Sequence, residues 1–148
     1  MEKYIGVKLI SAEPQIEGGF STAGQHGGII ARDGYKVVYE DGYKSWSPKD
    51  VFEKAYRKID ALTFGLAVEG VKLGKKIARE GWNGKGMFVY YVPANKYPFS
   101  TEVGKSLANE DGKVSYNAYL AIKNVNGTVS TWVPSINDVL AEDWVIVE

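Results

Sequence analysis

The chain of 148 residues is long enough for one ordinary domain or two small ones, and its hydrophobic content of 45% suffices for a buried core. Its 18 basic and 18 acidic residues balance, which argues against a protein that grips polymeric nucleic acid through a surplus of positive charge. The absence of cysteine excludes disulfides, thiolate metal sites and cysteine nucleophiles. We therefore expect any anionic ligand to be small and locally held.

The single histidine, His26, lies in a glycine-rich run with no second histidine at ligand spacing. A zinc site or a Ser/His/Asp triad would have to be built around this one residue, so we expect a solvated loop histidine, no metal and no cofactor. The sequence shows no signal-peptide pattern and no apolar run long enough to cross a bilayer. These patterns predict a soluble intracellular protein without a membrane partner.

The first predicted elements form a small module over residues 1–60. Tyr4–Ile10 reads as a strand, and Glu17–Gly28 as a glycine-rich loop. A β-hairpin follows, in which Tyr35–Tyr39 and Tyr43–Trp46 flank an Asp-Gly turn. This pattern predicts a hairpin-helix module, with the helix directly after the hairpin.

Ser47 and Pro48 mark the start of that helix, with Ser47 as the N-cap and Pro48 at the first helical position. Its apolar face consists of Val51, Phe52, Ala55 and Tyr56.

A second module is predicted over residues 61–148, beginning with a helix capped by Thr63 and ended by Gly74. One side of this helix carries Phe64, Ala67, Val68, Val71 and Leu73. The predicted strands are Lys75–Arg79, Met87–Val92, Ala118–Lys123 and Thr128–Val133. Since the last two flank the hairpin turn Asn126-Gly127, we expect a mainly antiparallel sheet packed with a helix, an α+β fold.

Two further segments complete this module. Pro93–Asn117 is predicted to be a polar inserted loop, in which Tyr97 and Phe99 would be unusually exposed aromatics. Pro134–Trp144 reads as a capped turn or short helix, followed by an edge strand over Val145–Val147.

The run Gly81–Met87 has the composition of a binding loop. Its glycines allow the backbone to approach a ligand closely, Trp82 offers a face for stacking, and Asn83 can pair with a base edge. No nucleophile or general base lies in the run. The alternative is a β-turn in which Trp82 packs into the core.

Several of these segments resemble, in order, the second family of phage Thoeris anti-defence proteins over about Ala61–Glu148. They are Thr63–Ala67, Lys75–Arg79, Gly81–Met87, Trp132–Ser135 and Asp138–Trp144. The Gly-Trp-Asn-Gly-Lys-Gly run is the most specific, and Leu-Ala-Glu-Asp-Trp supports it from the other end of the module.

The resemblance implies an α+β protein that is not an enzyme. It implies an oligomeric sponge, a homotetramer like known members, that sequesters glycocyclic ADP-ribose between its protomers in the cytoplasm of the infected bacterial host. This nucleotide is the signal made by the TIR protein of Thoeris immunity. Some members of the family also bind cyclic dinucleotides of a cGAS-like pathway at a separate place.

A cyclic ADP-ribose needs an aromatic platform, donors for its pyrophosphate, and amides for ribose and base edges. The residues that supply such groups here are Phe64, Trp82, Asn83, Gly84, Lys85, Trp132, Ser135, Asn137 and Asp138. Trp82 and Asn83 are the strongest candidates. Residues such as Phe64 and Trp144 are more often core anchors than stacking residues, and an aspartate at a helix start, as Asp138 is, is more often a cap or dipole partner than a ligand contact.

The additions that this chain carries relative to the shortest sponges are the places for a second nucleotide site. In the insert, the residues with suitable aromatic, hydroxyl and cationic groups are Tyr97, Phe99, Ser100, Thr101 and Lys105. The alternative is a solvated loop that braces the oligomer. The first module resembles a short unit of phage proteins, and that resemblance implies no function.

Three classes of function therefore remain: a nucleotide sponge, an enzyme that cleaves a nucleotide, and a structural or adaptor protein of the virion. The enzyme is the weakest, because Glu142 and Asp143 are adjacent in sequence and point in different directions, which makes a poor acid/base pair. The adaptor predicts no affinity for small molecules.

Overall fold

The computed structural model describes residues 1–3, 6–21 and 28–148. It contains two compact units, Met1–Arg57 and Lys58–Glu148. Among the described residues, no helix combines the length and apolar composition that a bilayer crossing requires.

The first unit is a three-stranded antiparallel sheet with one helix. Its strands are β1 (Ser11–Ser21), β2 (Gly28–Val38) and β3 (Lys44–Pro48), in the order β1-β2-β3. The predicted hairpin is confirmed as β2–β3, and its turn uses Gly42 at a φ of 83°, a conformation in which a side chain would be strained.

Two predictions for this unit are wrong. Residues 6–10 of the predicted strand Tyr4–Ile10 lie outside any strand, and the first two of its residues are outside the described range. The segment Glu17–Gly28 is not wholly a loop, because its first five residues belong to β1 and Gly28 begins β2; the remainder, including His26, lies outside the described residues. Pairing along the whole of β2 holds Gly18 and Gly19 in the strand despite their low strand propensity.

Cross-strand ion pairs reinforce the β1–β2 ladder. Glu17 pairs with Arg32, and Lys36 Nζ lies 2.7 Å from Glu13 Oε1. These contacts involve residues far apart in sequence, so local composition gave no signal for them.

The helix α1 (Lys49–Ala55) begins one residue later than predicted. Ser47 is not its N-cap, because it pairs with Tyr35 in the β2–β3 ladder, and Pro48 takes the cap position without a side-chain cap. Phe52 fixes the helix on the sheet by stacking on Tyr35, with ring centroids 4.2 Å apart.

The second unit is built on a five-stranded sheet that is antiparallel throughout. Its strands are β4 (Lys76–Arg79), β5 (Phe88–Val92), β8 (Tyr119–Lys123), β9 (Val129–Trp132) and β10 (Trp144–Val147). Their order in the sheet is β10-β4-β5-β8-β9. The predicted α+β class and mainly antiparallel sheet are confirmed. Gly127 takes the predicted hairpin turn with a φ of 83°.

The helix α2 (Phe64–Lys72) packs on one face of this sheet. Thr63 is its N-cap as predicted, accepting a hydrogen bond from the Leu66 N–H at 3.5 Å. Its buried positions Ala67, Gly70 and Val71 face the sheet. The core they form contains Leu62, Ala67, Val71, Ile77, Val89, Ile122 and Trp144.

The predicted short helix and edge strand at the end of the unit are confirmed. The helix α4 (Ile136–Leu140) precedes β10, which lies at the edge of the sheet and pairs with β4. Trp144 also forms an isolated antiparallel bridge with Leu62.

The prediction that Pro93–Asn117 forms a polar loop is wrong. This insert contains β6 (Asn95–Pro98), α3 (Glu102–Leu107) and β7 (Lys113–Tyr116), and β6 pairs with β7. Val114 is buried, and Tyr97 packs against Tyr116 with ring centroids 5.7 Å apart. The insert is thus ordered by its own ladder and small apolar contact, which outweigh its polar composition.

Candidate functional site

Four aromatic side chains meet where α2 adjoins the sheet. This aromatic cluster consists of Phe64, Trp82, Trp132 and Trp144, with neighbouring ring centroids 5.5 to 6.3 Å apart. Trp144 is fully buried at its centre, and the other three are half-buried around it. Three predicted site residues, Phe64, Trp82 and Trp132, therefore all pack against Trp144.

Trp82 belongs partly to the core, in line with the alternative considered for it. Its ring meets Trp132 and Trp144 edge-on, at interplanar angles of 66° and 78°. Because Trp82 remains half-buried, only its outer part is open to a stacking partner.

The segment that carries Trp82, residues 81–87, is here named the Trp82 loop. A Cβ at Gly84 would overlap Met87 Sδ and lie 2.6 Å from Val125 Cγ2, so glycine is needed for this close approach. Lys123 Nζ donates to the Gly86 carbonyl at 3.1 Å. The loop is thus braced at its second half, while Asn83 and Lys85 are exposed.

Arg79 connects the start of this loop to the end of the unit. Its Nε donates to Asp143 Oδ1 at 2.8 Å, and its Nη1 donates to Asp138 Oδ1 at 3.0 Å. The three side chains are 21%, 33% and 14% exposed, in the order Arg79, Asp143, Asp138. Such partly buried, charge-assisted hydrogen bonds are stronger than exposed ion pairs.

These contacts also decide the charge of the two carboxylates. The hydrogen bond from Arg79, assisted by the Gly81 N–H, lowers the pKa of Asp143. Burial acts to raise the pKa of Asp138, but hydrogen bonds from Ser135, Arg79 and Trp82 outweigh it and lower that pKa. The pKa of Arg79 is raised by its hydrogen bonds to Asp143 and Asp138. All three groups are therefore charged at neutral pH.

Ser135 and Asp138 form a capping box at the start of α4. Asp138 Oδ2 accepts from Ser135 N and Oγ at 2.9 and 2.7 Å, and Ser135 Oγ accepts from Asp138 N at 3.2 Å. The Trp144 indole N–H donates to the Asp138 carbonyl at 2.9 Å. Asp138 thus has a structural role, while Asn137 beside it is exposed and its role stays a prediction.

Arg79 and Asp143 were missed as site residues by sequence reasoning. Both lie in segments that carry the family resemblance, directly before Glu80-Gly81 and Trp144, but they come together only through the pairing of β4 with β10. Nothing local in the sequence indicates that contact.

The residues of the predicted second site lie at the junction of β6 and α3. Thr101 is the N-cap of α3 and accepts from the Gly104 N–H at 3.0 Å, and Tyr97 is half-buried against Tyr116. Phe99, Ser100 and Lys105 are exposed. Two of the five candidates are therefore partly committed to the fold of the insert.

Within the described ranges 1–3, 6–21 and 28–148, no three acidic or histidine side chains are grouped as a metal site would require.

The second unit is similar to proteins of one family. A family model described as Tad2-like, the Thoeris anti-defense 2-like domain, matches residues 62–147. Thoeris anti-defense 2 from Bacillus phage SP01 is 35% identical over 86 residues, which cover 58% of this chain and 94% of that protein. The resemblance stated from the motifs is thereby confirmed, and the chain belongs to the Thoeris anti-defense 2-like family.

Proposed function

We propose that this phage anti-defence protein binds and sequesters glycocyclic ADP-ribose without cleaving it. The family supports the anti-defence role. The observation that carries the ligand proposal is the Trp82 loop, in which a half-buried aromatic anchor is followed by an exposed amide and an exposed cation on a braced backbone.

In this proposal, the outer face of Trp82 stacks on the adenine and the Asn83 amide pairs with a base or ribose edge. Lys85 supplies the positive charge for the pyrophosphate. Because the loop is held before the ligand arrives, little conformational entropy is lost on binding. Trp132 then acts mainly by packing against Trp82, and Phe64 by packing against Trp132.

The state of the nearby carboxylates supports binding without cleavage. Asp138 and Asp143 lie behind the loop with their oxygens bonded to Arg79, Ser135 and Gly81. Their lowered pKa values make them weak bases. Carboxylates bonded in this way are poor candidates for activating water against a nucleotide.

We further propose that the ligand lies between protomers of a homotetramer. Three apolar residues on and beside α4 are strongly exposed: Val133 at 84%, Ile136 at 68% and Leu140 at 73%. Surface apolar residues grouped in this way commonly mark protein contacts. Val133 follows Trp132 directly in sequence, so a protomer covering these residues would also approach the aromatic cluster.

Mass spectrometry of released ligand tests the proposal. The protein is mixed with glycocyclic ADP-ribose, separated from free nucleotide by gel filtration, and heated. We expect intact nucleotide to be released from the wild type, and much less from Asn83→Ala. A cleaved product would support an enzyme, and the absence of any nucleotide would support the alternative, a virion structural or adaptor protein with no small-molecule ligand.

A cyclic dinucleotide is the proposed ligand of the insert, supported by the exposed Phe99, Ser100 and Lys105. Titration in the presence of saturating glycocyclic ADP-ribose is expected to give undiminished affinity. Lys105→Ala should weaken this binding, whereas the exposed Lys113→Ala should not. Competition between the two nucleotides would indicate one shared pocket, and no binding would leave the insert structural.

A further inference from the structure

We infer that Asp143, oriented by Arg79, is the positioning residue of the Trp82 loop and sets its affinity for ligand. This role rests on the proposed function, because Asp143 would fix the conformation of the loop that is proposed to contact the ligand. Asp143 itself is bonded to the Arg79 side chain and to the Gly81 N–H.

Asp143 accepts hydrogen bonds from the main-chain N–H groups of the two residues that precede Trp82. Its Oδ2 accepts from the Gly81 N–H at 3.0 Å, and its carbonyl accepts from the Glu80 N–H at 3.1 Å. The Trp82 N–H in turn donates to the Arg79 carbonyl at 3.3 Å. Each of the three amides entering the loop is therefore bonded to Asp143 or to the arginine that holds it.

Gly81 has no side chain, which leaves room for the Asp143 carboxylate. A Cβ at this position would lie 2.9 Å from Asp143 Oδ2, closer than a real Cβ tolerates, so any side chain would displace the carboxylate. The φ of Gly81 is not positive, so the requirement for glycine here is one of space rather than of backbone conformation. Glycine is thus suited to a close approach between amide and carboxylate.

Arg79 makes the contact directional. Its Nε and Nη2 both face Asp143, at 2.8 and 3.5 Å, which fixes the plane of the carboxylate and aims Oδ2 at the Gly81 N–H. Its Nη1 reaches Asp138 in the capping box of α4. The loop and the first turn of α4, which carry Asn83 and Asn137, are thereby held to one guanidinium group.

The matched pair of variants Asp143→Asn and Glu142→Gln tests this role. The two carboxylates are neighbours, but Glu142 is exposed and makes no hydrogen bond or ion pair with the described residues. The readouts are affinity for glycocyclic ADP-ribose by calorimetry and amide hydrogen exchange of residues 80–86 without ligand.

For Asp143→Asn we expect affinity to fall about tenfold, the effect of one charge-assisted hydrogen bond, with faster exchange in residues 80–86 and unchanged exchange in α2 and β5. Glu142→Gln should match the wild type. Gly81→Ala should reproduce the faster exchange without changing any charge, since it displaces the same carboxylate by contact.

Unchanged exchange in Asp143→Asn and Gly81→Ala would overturn the positioning role, as would a rise spread over the whole unit, which would indicate general stability. If the wild type does not bind glycocyclic ADP-ribose, the proposed function fails. The exchange comparison then still decides whether Asp143 holds the loop.

Discussion

The indole of Trp82 meets the indole of Trp144 edge-on, with ring centroids 5.5 Å apart at an angle of 78°. Trp144 is fully buried, and its N–H is bonded to the Asp138 carbonyl. A residue of an exposed loop is therefore packed on the centre of the core, which restricts the motion of the proposed binding surface.

This contact predicts different outcomes for Trp82→Ala and Asn83→Ala. Trp82→Ala should abolish ligand binding and also destabilise the unit by about 2–4 kcal/mol, since it removes half-buried aromatic packing. Asn83 is exposed, so Asn83→Ala should weaken binding with the melting temperature unchanged. Calorimetry and thermal unfolding separate the two effects. Normal binding by both variants would show that the ligand lies elsewhere.

A second prediction concerns acid. The pKa values of Asp138 and Asp143 in the folded protein lie below their ordinary value of 3.8. Groups with lowered folded pKa values contribute stability that is complete above the ordinary pKa and is lost as the pH falls through the folded one. We therefore expect the melting temperature to fall steeply below about pH 4.

The melting temperature of Asp143→Asn should fall less steeply at acid pH than that of the wild type, because one of the two titrating groups is gone. Glu142→Gln serves as the control and should follow the wild type. Identical acid limbs for wild type and Asp143→Asn would show that Asp143 does not contribute in this way.

Gly84→Ala is predicted to destabilise the second unit by about 1–3 kcal/mol, because the new Cβ must displace Met87 and Val125. Gly65→Ala is the matched control. Gly65 lies in α2 with nothing within 4 Å of an added Cβ, so the same change there should be neutral or stabilising by up to about 1 kcal/mol. Denaturant unfolding measures both, and equal effects at the two positions would contradict the close packing of the loop.

Oligomerisation is predicted to depend on the apolar surface of α4. Ile136→Glu and Leu140→Glu place charges on exposed positions, so the fold should persist while the assembly dissociates. Light scattering is expected to give a tetramer for the wild type and a smaller species for these variants. Val103→Glu, at an equally exposed position of α3, is the control. A wild-type monomer at micromolar concentration would refute the assembly.

The parts of the fold that rest on local chemistry could be predicted from the sequence. Thr63 caps α2 through a bond to a residue three positions away. The hairpin turn at Asn126-Gly127 depends on the positive φ of Gly127 and on the Asn126 side chain, which accepts from the Thr128 N–H at 3.1 Å. Ser47 shows where this reasoning fails. A serine before a proline is typical of a helix N-cap, but Ser47 pairs with Tyr35 and therefore belongs to β3.

For the candidate site, the sequence indicates the residue types but not their contacts. The composition of the Trp82 loop indicated a binding surface, but the division of Trp82 between core and solvent depends on Trp132 and Trp144, which are distant in sequence. The contact of Arg79 with Asp143 likewise exists only after β4 and β10 have paired. The insert was misjudged because the ladder between β6 and β7 supplies order that its polar composition does not indicate.

Leu62 and Trp144 exchange two backbone hydrogen bonds, at 2.8 and 3.2 Å, although they lie at opposite ends of the second unit in sequence. Bringing the two ends of so long a segment together costs chain entropy before core contacts form and offset that cost. Proteins rich in such distant contacts therefore fold slowly. The aromatic cluster should therefore form late in folding, in the same step as the edge strand. Until that step, Trp82 has no packed Trp132 and Trp144 to contact, so the Trp82 loop is not yet fixed in place. The capacity to bind ligand should therefore appear only in the final cooperative phase of refolding.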